Sequence, residues 1–207
     1  GGPMQNYQQV ARFIRDQPKV TGASPFIEGP IVIETQRGER YSQIAAPFLR
    51  GIDSETSNQV SDLEKSVVAG DFESIDGNGL LIGSALANRL SLSIGDPVAV
   101  YSMSLLREVR NVLKKDPDEQ TTAPLADDYV IEGIFDIGYY EYNANGMVCS
   151  LFNAQDLFSL GNEANGIHVM LDDPEAATEM RKTLLTQLGP EFVVSTWLDR
   201  NKDIFNA

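Results

Sequence analysis

Apolar residues recur along this chain with two periods, near 3.6 and near 2, and the alternation between them predicts its elements. Tyr7, Val10, Phe13 and Ile14 share one face and predict a helix over 4–17, stopped by Pro18. Residues 19–35 predict an extended stretch in which Pro25 and Pro30 mark bends or edge positions. Residues 40–53 alternate as a strand does. Val60, Leu63 and Val67 predict a short helix over 57–70 with Gly70 just past its end, and the polar cluster 71–79 predicts a turn. A strand at 80–82 leads to a short helix with Ser84 as N-cap and Leu86, Ala87 and Leu90 inward. Gly95-Asp96-Pro97 predicts a turn and 98–102 a strand. Leu105, Leu106, Val109, Val112 and Leu113 then predict a helix over 104–114, followed by an acidic loop containing Pro117 and Pro124.

The second half reads as a strand at 129–135, an aromatic turn at 136–146 and a strand at 147–152. A helix follows with Asn153 as N-cap, Asp156 in its first turn and Gly161 past its end. Residues 166–173 predict a strand. Asp173-Pro174 is an N-cap followed by a first-turn proline, and Ala177, Met180, Leu184 and Leu188 line one side of a helix over 174–188. Gly189-Pro190 ends it, 191–196 predicts a strand, and Trp197 opens another helical pattern. The two ends match as halves of a split βαβ unit. The expected class is therefore α+β, with residues 1–30 and 165–207 forming a ferredoxin-like subdomain and 31–164 an inserted β-rich subdomain.

With 207 residues the chain can bury a substantial core. Its net charge of −14, with no basic stripe, excludes a nucleic-acid partner and disfavours direct docking on an anionic membrane. No apolar run approaches the roughly 18–20 residues that cross a bilayer, and Gly1-Gly2-Pro3 does not open a signal peptide. If the native protein is exported, its signal or anchor is expected outside this stretch.

Candidate chemistry is sparse. The lone Cys149 lies in an apolar segment and reads as core. Residues 77–83 miss the G-x-G-x-x-G spacing by one position, and residues 71–79 offer no register for a calcium loop. His168, the only imidazole, stands mid-strand without a zinc partner or a G-x-S-x-G elbow in the sequence. Tyr139, Tyr140, Tyr142 and Trp197 read as core or interface aromatics. The stripe from Leu105 to Leu113 has two readings: it covers its own subdomain, or it is an arm that docks a partner.

Several blocks occur in a telling order: "LLIGSALANRLSLSIGDPVAV", "YVIEGIFDIGYYEYNANGMV", "NAQDLF", "GIHVMLDDPEAA" and "STWLDRNKDIF". Together they resemble the periplasmic domain of lipoprotein-releasing ABC permeases, the LolC/LolE group of the MacB-like periplasmic core superfamily, over nearly the whole chain. The resemblance implies a ferredoxin-like "porter" subdomain beside the membrane and a β-rich "sabre" subdomain inserted into it. It implies no catalytic residues, no cofactor and no metal, with ATP hydrolysis in a separate cytoplasmic ABC subunit. The implied partners are the transmembrane remainder of the permease, a second permease subunit, a LolA-like periplasmic carrier and the lipoprotein cargo. In LolC-type members a hairpin hook between the G-D-x-V and G-I-F strands enters the carrier. Residues 102–128 hold that place here, but they are longer, helix-like and acidic. The candidate partner-binding residues are Leu105, Leu106, Val109, Val112, Leu113 and Pro124. The alternatives are a MacB-type efflux permease domain gripping an adaptor protein and, from another class, a secreted hydrolase or ligand-binding protein.

Overall fold

A single strand ties the fold together. In the computed structural model, which describes residues 2–36, 42–113 and 125–200, β1 (Val20–Thr35) runs for 16 residues and changes partners along its length. Its first part pairs antiparallel with β9 (Gly166–Leu171), its middle with β3 (Phe48–Ile52), and its last part with β6 (Pro97–Ser102) and the short β2 (Ile44–Ala45). Pro25 and Pro30 each stand one residue before a new ladder begins, at Phe26 and Ile31. A residue without an N–H is tolerated at such a hand-over, where one flank of the strand lacks a partner. The prolines therefore mark partner changes within one unbroken strand.

The ladders beyond β1 close on themselves. β3 pairs parallel with β8 (Gly146–Ser150), β8 antiparallel with β5 (Gly79–Gly83), and β5 parallel with β7 (Asp127–Phe135). β7 pairs antiparallel with β6, which returns to β1, giving a closed ring of six strands. β4 (Val67–Gly70) is an edge added to β7. Alternation along the strands sends Ile31, Ile33, Leu80, Ile82, Val100 and Ile131 inward, where each is 0–1 % exposed. Burial of each such side chain stabilises the fold by about 1.5–3 kcal/mol. Cys149 belongs to the same interior.

Helices close the rest. α2 (Ser84–Leu90) contributes Leu86, Ala87 and Leu90 to the ring's interior. α5 (Leu151–Leu157) lies so near β3 that a Cβ on Gly51 would collide with the Ala154 methyl. A second apolar cluster unites α1 (Tyr7–Arg15), α6 (Ala177–Leu188) and the β1/β9 ribbon through Val10, Ile14, Ala23 and Leu184. α3 (Met103–Leu113), α4 (Tyr140–Asn145) and α7 (Trp197–Arg200) complete the helices of the described residues. The mixed α+β class read from the sequence holds.

Several local expectations are corrected. Residues 57–70 form two 3₁₀ turns, Ser57–Gln59 and Glu64–Ser66, and then β4. Ser61 Oγ accepts from Leu63 N–H, a local bond that competes with helix, and Val67-Val68 suits a strand edge. Gly70 has the left-handed φ expected of it (+82°), but it ends a strand. The cap of α2 is Gly83, because the Ser84 hydroxyl donates instead to Asp136. α5 starts earlier than expected, capped by Ser150, whose Oγ accepts from Asn153 N–H at 3.1 Å. Residues 136–146 hold α4 within the aromatic turn. Residues 191–196 form no strand: Glu191 lies in a turn closed by Phe192 N–H on the Gly189 carbonyl, and beyond it Phe192 and Val194 pack inward while Val193 is exposed.

Candidate functional site

The β6–β7 excursion builds its site from β6 outward. β6 ends at Ser102, whose Oγ accepts from Leu105 N–H at 3.2 Å and so caps the start of α3. Three- and four-residue spacing then puts Leu105, Leu106, Val109 and Val112 on one face of the helix. All four are half-buried, against the sheet surface of β6 and β1, and none is sealed as the ring's residues are. Arg107, Glu108, Arg110 and Asn111 face water, and Met103 is 42 % exposed. The side chain of Leu113 and all of Pro124 lie outside the described residues.

The chain leaves and re-enters the ring at neighbouring points, since Val100 of β6 pairs with Asp127 of β7. At this root the Tyr101 hydroxyl donates to Glu34 at 3.3 Å, and the Gln36 amide donates to Asp128 at 2.7 Å. Burial, then the Glu34 charge, raises the Tyr101 pKa; burial, then the charges of Asp156 and Asp128, raises that of Asp127. Leu125, 87 % exposed, stands at the re-entry. The site is thus a half-seated apolar stripe, with arginines on its outer face and carboxylates at its root.

A second surface escaped the sequence reading as an organised feature. Tyr139, Tyr140 and Tyr142 are 71 %, 74 % and 54 % exposed, so they are not core. They stand on a fixed base. Asp136 accepts from Gly138 N–H, Ser84 Oγ and Asn143 Nδ2, and Asn143 Oδ1 accepts from Ile137 N–H. Those donors, the Gly138 amide foremost, hold the Asp136 carboxyl below its ordinary pKa. Trp197, 46 % exposed, is likewise outside the core; its indole donates to the Pro174 carbonyl at 3.4 Å.

The remaining candidates are placed as follows. The His168 ring stacks on Phe26 with centroids 4.1 Å apart. The Cys149 thiol is buried and pushed up to about 12. Among the described residues no three His, Cys, Asp or Glu side chains are grouped to hold a metal ion. Asp96 closes its turn by accepting from Ser93 N–H at 2.8 Å. These surfaces have the chemistry of docking: apolar stripes, aromatic edges and charged rims.

No family model matches the chain. It is 25 % identical over 209 aligned positions to the lipoprotein-releasing system transmembrane protein LolC of Xylella fastidiosa, covering 100 % of this chain and 46 % of that protein. It is 19 % identical over 198 positions to LolE of Haemophilus influenzae, covering 94 % and 44 %. The chain thus spans about half the length of the curated relatives it matches. In structure it resembles the periplasmic region of MacB from Actinobacillus actinomycetemcomitans, with a TM-score of 0.59 at 12 % identity over 99 % of this chain and 85 % of that one. It also resembles the extracellular domain of the ABC-type transporter YknZ from Gram-positive bacteria, with a TM-score of 0.57 at 12 % identity over 90 % and 84 %. Among the described residues no helix is long and apolar enough to cross a membrane. The chain is therefore similar along its whole length to the lipoprotein-releasing system transmembrane protein LolC and along nearly all of it to LolE, and carries the fold of the MacB periplasmic region and the YknZ extracellular domain.

Proposed function

We propose that this chain is the periplasmic domain of a Gram-negative inner-membrane ABC permease in lipoprotein release, and that it helps hand outer-membrane-directed lipoproteins to a LolA-like carrier. The observation that carries this reading is the alignment with LolC over the whole chain. In this reading the domain is non-catalytic, a separate cytoplasmic subunit hydrolyses ATP, and a second permease subunit stands alongside. The excursion led by α3 docks the carrier through Leu105, Leu106, Val109 and Val112, with Leu113 and Pro124 belonging to the same segment. Support for that assignment is positional and physical: the excursion leaves the ring between β6 and β7, and its apolar face is only half seated.

The division into a porter-like unit (1–30 and 165–207) and a sabre-like unit (31–164) is part of the proposal. The cluster of Val10, Ile14, Ala23 and Leu184, with Ile167, Met180 and Phe192 packed against it, draws only on the first unit. A second reading, a MacB-type efflux domain docking an adaptor, is favoured by the fold likeness to MacB. A pull-down separates the two. The chain, and a version with 104–126 replaced by a Gly-Ser linker, are each presented with a purified LolA-like carrier and with a periplasmic adaptor. Capture of the carrier by the intact chain alone is the expected result. Capture of the adaptor alone supports efflux, and equal capture of the carrier by both versions removes the arm from the account.

A further inference from the structure

A groove of about 700 Å³, within the usual range for ligand sites, is lined by charges of both signs, segregated by element. Both arginines, Arg12 and Arg15, come from α1. The three carboxylates come from elsewhere: Asp53 and Glu55 from the turn after β3, and Asp76 from the end of the 3₁₀ turn Glu73–Asp76. None of the five enters an ion pair among the described residues. Asp53 and Asp76 are held by local bonds, from Glu55 N–H and Thr56 Oγ1 and from Ser54 Oγ, and a carboxylate accepting so few keeps capacity. The Glu55 carboxylate and the Arg12 guanidinium are exposed and make no hydrogen bond among the described residues, while Arg15 spends only its Nε, on the Ala23 carbonyl. Opposite charges that line one groove without pairing leave the space between them to an occupant that meets both signs.

The rest of the lining fits a polypeptide. From Tyr7 to Arg15 the wall made by α1 rises about 12 Å, the length of about four extended residues. The Tyr7 hydroxyl accepts from the Gln8 and Gln155 amides at 3.4 and 3.5 Å and donates to Asn162 Oδ1 at 3.5 Å. These contacts are at the long limit of hydrogen bonding, so main-chain groups of a peptide can compete for them. Phe152, 76 % exposed, offers apolar surface to the methylene stems of long charged side chains. Successive side chains of an extended segment point to opposite sides, so alternating signs would present one sign to each wall. We infer that this groove binds an extended peptide segment in which acidic and basic residues alternate, with its carboxylates on Arg12 and Arg15 and its cations on Asp53, Glu55 and Asp76. The site goes beyond carrier docking and uses none of the residues assigned to it.

The test is an amide NMR titration of the chain, at low salt, with two capped synthetic peptides of one composition, Glu-Lys-Glu-Lys and Glu-Glu-Lys-Lys. Only the first segregates its charges by side when extended. It is expected to shift amides of α1, residues 53–56 and residues 151–155, and the second to leave them in place. Arg12→Ala and Glu55→Gln should each weaken binding of the first about threefold, the loss of one exposed charge pair. Neither side chain holds another part of the fold, so both variants should keep the parent's spectrum elsewhere. No shift at millimolar Glu-Lys-Glu-Lys, equal shifts with Glu-Glu-Lys-Lys, or unchanged affinity in both variants would overturn the inference. Both substitutions lie outside 102–128, so carrier capture by the same variants should be unaffected, and failure of the groove is distinguishable from failure of the arm.

Discussion

The six-stranded ring and the α3 arm are built from the same kinds of residue, yet they end in different states. Ile31, Ile33, Leu80, Ile82 and Ile131 alternate along strands, and a closed ladder surrounds them with protein on every side. Leu105, Leu106, Val109 and Val112 recur on a helix with equal regularity, and only part of each side chain is covered. Periodicity decides which side chains share a face; what lies opposite that face decides whether it is core. In the ring the opposite face belongs to the ring itself. At the arm, the described residues of β6 and β1 cover that face in part, and the exposed part is open to solvent or to a partner.

Alanine substitutions should divide along this line. Ile131→Ala or Leu80→Ala is expected to cost about 2–5 kcal/mol, since each removes methyl groups from a close-packed interior. Val109→Ala in the arm should cost less than about 1.5 kcal/mol, because part of its surface is already in water. Chemical denaturation of the three variants checks this; equal losses would mean that the arm is core after all. Next in size comes Gly51→Val, which drives a side chain into Ala154 and should cost about 1–3 kcal/mol through displacement of α5.

The tyrosine base supplies a smaller, pH-linked effect. Asp136 is held below its ordinary pKa when folded, so its contribution is complete above the ordinary carboxylate range and is lost as pH falls through that range towards the depressed value. The parent should lose stability across that acidic window, and Asp136→Asn should flatten the loss. A pH series of thermal melts reads both, and parallel curves would exclude the network. Smallest of all is the response at Cys149: its thiol, buried and pushed up to about 12, should resist an aromatic disulfide reagent at neutral pH until the ring unfolds. Rapid labelling of the native chain would show that the ring is not closed around it.

Local rules made much of the fold legible. α1 was marked by its one-sided apolar face and Pro18, and α6 by Asp173-Pro174 and Gly189. β5, α2, β6 and β7 followed from short periodic runs between turn residues. The misreadings arose where tertiary context overrode a local pattern. Val60, Leu63 and Val67 fit a helical face, but β7 offers Val67 an edge to pair with, and the hydroxyl of Ser61 breaks the turn before it. Ring closure was not legible, because it depends on β1 meeting β6 and β3 on opposite flanks, a relation between segments far apart in the chain. The arm's stripe was legible residue by residue, while its half-seated state was not.

The most direct test of the arm assignment is hydrogen–deuterium exchange on the chain with and without a LolA-like carrier. The account predicts that slowed exchange on carrier addition centres on residues 103–113, with the strands of the ring unchanged. Slowing elsewhere with 103–113 unaffected, or no change at saturating carrier, would contradict it.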